Sequence, residues 1–525
     1  MNAELVIVGG GVRTMHPARP LAKAVAVQGG RIVALGSEQL VRRFIGRRTE
    51  ILDLRQRCLL PGFCDAHLHL SWYGTALRTV PLAGVGSLAE AQRLLARRVQ
   101  ATPKGQWVRG DGYDANLWGE YPGRSALDQV APEHPVYFIA KDRHAAWLNT
   151  RGLELAGIAA HTPDPAGGRV VRDARGEPTG VLLENAAELA AKAVGPPPVQ
   201  ELVGELGEAI GHLHAAGITA IGAIELPEGF SALQELKRRG GLLLRVWCTL
   251  PSQQLEAALA LGVQSGLGDE TLRLGAVKIY ADGSLGSQTA HMLADFESLP
   301  GNQGVEVTSP QALQELVVRA SQGGLACAIH AIGDRANRQV LDILAETRPL
   351  WAPQGLRMRI EHAQLLSPQD VPRLAQLGVI ASMQPIHVLG DMDLAERYWG
   401  ERARYAYAFR SLLDAGTTLA FGSDCPVEDF SPLRGLLAAV TRQRPQGRPW
   451  YPQERITVPE VLQAYTLGAA YATLAEQERG TITEGKLADL VVLSRDPVEV
   501  PPGELESLTV DYTLVGGQLV YQRER

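Results

Sequence analysis

Residues 59–70 read LLPGFCDAHLHL, an apolar run that closes on His67-Leu68-His69. Side chains two apart on a strand face the same side, so an HxH pair at a strand's end can share one metal ion. The same spacing recurs at His212 and His214 within ELGEAIGHLHAAG. That segment has helical periodicity, and on a helix residues two apart lie on different faces. His212 and His214 are therefore expected to be structural.

Working outward from 59–70, seven further short apolar segments alternate with helical stretches: GITAIGAIE (217–225), LLLRVWCTL (242–250), LRLGAVKIYADG (272–283), LACAIHAIG (325–333), RMRIEHAQ (357–364), GVIASMQP (378–385) and TLAFGSDCP (418–426). Strands alternating with helices are the pattern of βα units, and eight of them predict a TIM-like (β/α)8 barrel in the α/β class. Polar residues stand at several of these ends: Lys278, His330, His362 and Asp424. A barrel gathers its strand ends on one rim, so these residues and the HxH are expected to meet there. Strand parity places Lys278 with Leu274 and Ala276, and Asp424 with Ala420 and Gly422, facing inward. The simpler alternative for Lys278 is an ion pair with Asp282 or Asp424.

The domain plan is 1–58, the N-terminal part of a small sandwich-like β-domain; 59–70, the first barrel strand; 71–213, an inserted α+β domain that includes the first barrel helix; 214–477, the rest of the barrel; and 478–525, the C-terminal part of the β-domain. The two ends are joined because both read as short strands, with Gly-Gly turns in AVAVQGGRIVALG (24–36) and YTLVGGQLVY (512–521). The insertion is far longer than an ordinary βα connection and is punctuated by GDGYDANLWGEYPGR (110–124) and HTPDPAGGRVVRDARGEPTG (161–180). Placed after the first strand, it overhangs the usual active-site face. His144 and Trp147, in AKDRHAAWLN (140–149), are expected to reach substrate from it. Asp282 and His387 are the substrate-contact candidates on the barrel itself, although Asp282 is expected to point away from the ligand cluster.

Bulk properties limit the alternatives. With 525 residues, a net charge of −6 and no dense run of Lys and Arg, the chain shows no footprint for nucleic acid or an anionic membrane. A small-molecule substrate is the expected partner, with a homodimer as one expected assembly. The start, MNAELVIVGGGVRTM, lacks the basic region and cleavage site of a signal peptide, and no apolar run approaches ~18 residues, so a cytoplasmic location is expected. The five cysteines are scattered without a CxxC pair, which predicts reduced thiols and excludes a thiolate metal site. Gly9-Gly10-Gly11 is not a dinucleotide fingerprint, because Thr14 stands where its third glycine belongs and no helix follows.

Together, LLPGFCDAHLHL, the insertion text, VKIYADGSLGSQTA, IHAIGDRAN, IEHAQ, MQPIH and GSDCPV resemble the amidohydrolase superfamily, and more closely amidohydrolase family 3, over nearly the whole chain. The resemblance implies that His67, His69, His330 and His362 are metal ligands. Asp424 then binds metal and acts as general base. Lys278 matches the position that carbon dioxide carboxylates in many binuclear members. One or two divalent ions follow, zinc first among them, in a hydrolase acting on a non-peptide C–N bond. Cys64 before Asp65 is the one departure from the pattern. A mononuclear deaminase and a metal-free binding or assembly protein are the alternatives, the latter disfavoured by the intact ligand set.

Overall fold

The computed structural model describes residues 2–119, 121–297, 299–444 and 447–524. Its centre is an eight-stranded parallel sheet formed by β1 (Phe63–Leu68), β2 (Ile218–Ala223), β3 (Arg245–Pro251), β4 (Leu272–Tyr280), β5 (Ala326–Ala331), β6 (Arg359–His362), β7 (Ile380–Met383) and β8 (Leu419–Phe421), paired in chain order. The strands are buried almost end to end, as parallel strands covered by helices on one side and packed against each other on the other must be. The interior is filled by side chains: a Cβ added at Gly275 of β4 would land 1.7 Å from the Trp247 indole of β3.

The sheet closes into a barrel at its mouth. The Asp424 amide donates to the His67 carbonyl at 2.8 Å, and the His69 amide donates to the Cys425 carbonyl at 2.9 Å. The two ends of the sheet are thus stitched together by the residues that close β1 and follow β8.

The first barrel strand is shorter than 59–70. Cys58–Pro61 forms a separate strand that pairs with Gly11–Arg13 and Leu490–Leu493 in a six-stranded sheet built from both ends of the chain. The apolar run is continuous in sequence, but Gly62 separates two strands that serve different sheets. A four-stranded sheet, Leu5–Val8, Ala24–Gln28, Arg31–Gly36 and Glu50–Asp53, shares a core with this one through Ile7, Val25, Ile32, Leu59, Leu490 and Val492. Its hairpin turns at Gly29 and Gly30, with φ of +56° and +75°, the type I′ signature that side chains with a Cβ disfavour.

Between β1 and β2, strands within residues 80–184 form a mixed six-stranded sheet with an apolar cluster on each face. The chain returns through the helix Val199–Ala215, which packs against the helices Leu70–Ala76 and Pro227–Arg238. On that helix His212 is exposed and meets the Tyr73 hydroxyl, whereas His214 is buried against the Leu243 carbonyl. The five cysteines are free and buried. Among the described residues, no helix is long and apolar enough to cross a membrane.

Candidate active site

Strand ends bring His67, His69, Lys278, His330, His362 and Asp424 to the mouth of the barrel, all buried. The tightest grouping is His67, His362 and Asp424, whose ligand atoms lie within 4.8 Å of one another. Oδ1 of Asp424 is 3.3 Å from Nε2 of His67 and 3.2 Å from Nε2 of His69. The His330 ring lies 4.6 Å from that of His362.

Each histidine has one ring nitrogen engaged outside the cluster. Nδ1–H of His67 donates to Glu361 at 2.6 Å, Nδ1–H of His69 to the Ile224 carbonyl at 3.0 Å, and Nδ1–H of His362 to Oε1 of Gln384 at 2.9 Å. In His330 the bond to the Gly283 carbonyl at 3.0 Å uses Nε2. Carboxylate and carbonyl oxygens only accept, so each partner fixes the proton on the nitrogen it faces and leaves the other nitrogen with a lone pair. Metal-binding histidines are prepared in this way.

Electrostatics follow from burial and proximity. Burial pushes His69 down to about 4 and holds His330 and His362 well below the ordinary imidazole value. For His67, burial is outweighed by Asp424 and Glu361, which raise it. Burial opposes ionisation of Asp424, yet His67 and His69 hold its carboxyl well below the usual range. Burial lowers Lys278 to about 8. Among the described residues its Nζ has no hydrogen-bond partner, and it sits 4.7 Å over the Tyr280 ring. The ion-pair alternative for Lys278 is therefore absent.

Strand parity counted from Leu274 does not carry through to Lys278, because the β3–β4 register shifts between Leu274 and Val277, and it does not account for Asp424 or His362 either. β8 ends at Phe421, and Asp424 is turned by a φ of +62°; His362 closes β6 at +73°. Left-handed backbone of this kind is uncommon for a residue with a side chain and clusters at functional sites.

The substrate-contact candidates divide. His387 opens the helix His387–Trp399 and places Nε2, buried and without a hydrogen bond among the described residues, 3.8 Å from Oδ2 of Asp424. His144 lies at a ring distance of 5.3 Å from His330, and Glu184, accepting from its Nδ1 at 2.7 Å, raises it to about 9 against the effect of burial. Trp147 is a correction: it is fully buried among Tyr113, Trp118 and Phe138 inside the 80–184 sheet, so it packs that core and does not face substrate. Asp282 is a second. It does not point away but lies 3.5 Å from Nε2 of His330, and its oxygens accept the amides of His291, Ile332 and Gly333, which makes it a loop anchor.

Sequence reading missed Glu361, Arg359, Gln384 and Glu184. Arg359 and Glu361 alternate in RIEH, the period that faces one side of a strand, and that was the available signal. They form a fully buried pair, and Arg359 also donates to the Ala66 carbonyl and to Ser382, both at 2.7 Å.

The amidohydrolase family model matches residues 50–521. The chain belongs to that family. It is 35% identical to the protein LONG AFTER FAR-RED 3 of Arabidopsis thaliana, over 99% of this chain and 92% of that one. It is 34% identical to the N-substituted formamide deformylase of Arthrobacter pascens, over 99% and 98%. Among solved structures, a metal-dependent hydrolase of Pyrococcus horikoshii superposes with a TM-score of 0.78 at 28% identity, over 95% of this chain and 99% of that one.

Proposed function

We propose that this amidohydrolase is a metal-dependent hydrolase that cleaves a non-peptide C–N bond in an amide, formamide or cyclic amide. The observation that carries the reading is the histidine set: four buried imidazoles, each with one nitrogen committed to an outer acceptor, around a buried carboxylate. Nitrogen and carboxylate oxygen donors without sulfur suit zinc or a similar divalent ion. His67, His69, His330, His362 and Asp424 would hold one or two such ions, and Lys278, as a carbamate, would add an oxygen ligand. An ion bound there supplies acidification of water to a pKa near ~7 and polarisation of a carbonyl oxygen.

The chain's own residues do the rest. Asp424, kept ionised, accepts the proton of the attacking water as its oxygen bonds to the carbonyl carbon. The C–N bond then breaks, and Asp424 returns the proton to the leaving nitrogen. Glu361 and Gln384 hold two imidazoles in register, and the 80–184 segment is tethered to the barrel mouth through Lys141 and Asp142. The formamide deformylase relative supports placing formamides first in the search.

The test is metal analysis joined to a screen of N-substituted formamides, N-acyl amino acids, hydantoins and aminopurines. The expected result is bound divalent metal and release of an amine together with a carboxylic acid. No metal uptake after incubation with zinc or manganese would overturn the reading, and ammonia as the sole nitrogen product would replace it with a deaminase.

A further inference from the structure

The turn 141–144, Lys-Asp-Arg-His, is where the 80–184 segment comes down on the barrel mouth. Lys141 pairs with Glu428, and Asp142 accepts from the Ser284 and Ser287 hydroxyls at 2.7 and 2.6 Å. His144 stands beside His330. Between these tethers sits Arg143, with a φ of +65°.

A left-handed position at the tip of a turn is where glycine is the low-cost residue. The chain places arginine there instead, and such strain persists only where the surroundings require the side chain. The guanidinium lies 5.1 Å over the Trp72 ring, and Trp72 stacks at 4.0 Å and 8° on the ring of His69. A permanent cation is therefore stationed one aromatic ring away from the candidate ligand His69.

Arg143 is incompletely used. Of its five N–H donors, a single hydrogen bond is formed among the described residues, from one terminal nitrogen to Asp111 at 2.5 Å. Nε is buried and has no partner among the described residues, although nearly every buried polar atom in a native protein finds one. An arginine fork with donors to spare, beside an aromatic wall, suits a planar carboxylate better than any neutral group.

We propose that Arg143 is the specificity-determining residue of this site: it anchors a carboxylate that the substrate carries away from its scissile bond. The preferred substrates are then amides or formamides with a remote carboxylate. This rests on the C–N hydrolase reading, and the experiment separates the two.

A matched pair serves as probe: 4-(formamidomethyl)benzoate and its neutral carboxamide, together with the corresponding amine products, 4-(aminomethyl)benzoate and 4-(aminomethyl)benzamide. Binding of the amines is followed by calorimetry and hydrolysis of the formamides by amine release, on metal-loaded protein. Wild type is expected to favour the carboxylate member about 10- to 100-fold in both readouts, the range of a charge-assisted hydrogen bond. Arg143→Gln should lose that preference, chiefly through KM, and Arg143→Lys should keep part of it. Asp111→Asn should keep it, since removing the competing carboxylate frees another donor. A preference in binding without hydrolysis of either formamide would leave the anchor standing while counting against formamide cleavage. Equal affinity of wild type for the two members, an unchanged preference in R143Q, or loss of preference in D111N to the level of R143Q would each overturn the proposal, the last by showing that Arg143 only tethers the segment.

Discussion

Asp424 and His67 meet twice: the Asp424 amide donates to the His67 carbonyl at 2.8 Å, and Oδ1 of Asp424 lies 3.3 Å from Nε2 of His67. The backbone bond closes the barrel and thereby fixes the side-chain distance. Asp424→Asn preserves the amide and the volume while removing the charge. Turnover should fall about 10²- to 10⁴-fold, with metal content close to wild type because the histidines remain. Parallel activity and elemental measurements check this, and near-normal turnover would make Asp424 a spectator.

Glu361 acts through His67. Its carboxyl is held well below the ordinary range, since Arg359 and His67 outweigh the effect of burial. Glu361→Gln keeps an acceptor but loses the charge that strengthens the imidazole as a donor to metal. Metal affinity should drop about 10- to 100-fold, read by competition with a chelator. Glu361→Ala leaves Arg359 buried and unpaired, which should cost about 3–5 kcal/mol in denaturant unfolding. An E361A protein as stable as wild type would show that water replaces the carboxylate.

The tethering carboxylate of the 141–144 turn offers a separate test. Asp142 binds the Ser284 and Ser287 hydroxyls, so Asp142→Ala releases the segment from the loop after β4 without touching a candidate ligand. Metal content should hold, KM should rise, and stability should fall by about 1–3 kcal/mol. Unchanged KM with lowered stability would confine the contact to folding.

The barrel was legible because its strands are short apolar runs with polar residues at their ends, and the gathering of the candidate ligands was legible because those ends are forced together. What stayed hidden depends on local turns. Phe63–Leu68 and Cys58–Pro61 form one apolar run with a break at Gly62 that hydrophobicity does not mark. Trp147 lies three residues from His144 in sequence, yet β-pairing of Ala145–Leu148 turns it into the core of its own sheet while His144, just outside that strand, faces the barrel. The left-handed backbone at Asp424 and His362 likewise breaks the parity from which their orientation would be read.

His214 gives a pH prediction away from the site. Burial holds its imidazole below the usual value of 6.5, although the Leu243 carbonyl, accepting from Nε2 at 2.8 Å, opposes this. The unfolded chain therefore takes up this proton at higher pH than the folded one. The contribution to stability is complete above about pH 6.5 and is lost as pH falls below it. In urea unfolding at about pH 7.5 and about pH 5.5, either side of that value, wild type should lose more stability on acidification than His214→Gln. Equal losses would mean that the buried imidazole is accommodated in its charged form.

Lys278 carries the remaining prediction, that its amine is carboxylated. Its Nζ is buried without a hydrogen bond among the described residues and lies over the Tyr280 ring, which neighbours the ring of His330. An ammonium there would be repelled by divalent ions bound at the site and leaves a buried donor unsatisfied. Addition of the amine nitrogen to carbon dioxide, with loss of a proton, converts the group into an anion with two oxygens, which matches the ~3.5 to 4 Å spacing of paired metals. Lys278→Ala should lose one metal equivalent and most activity, with partial rescue by a short carboxylic acid that restores a bridging anion. Native-state carbon-13 spectroscopy with labelled bicarbonate should show a carbamate resonance in wild type that is missing in K278A. Full activity with a single bound ion and no carbamate signal would instead assign the site to mononuclear chemistry and leave Lys278 as a neutral amine over Tyr280.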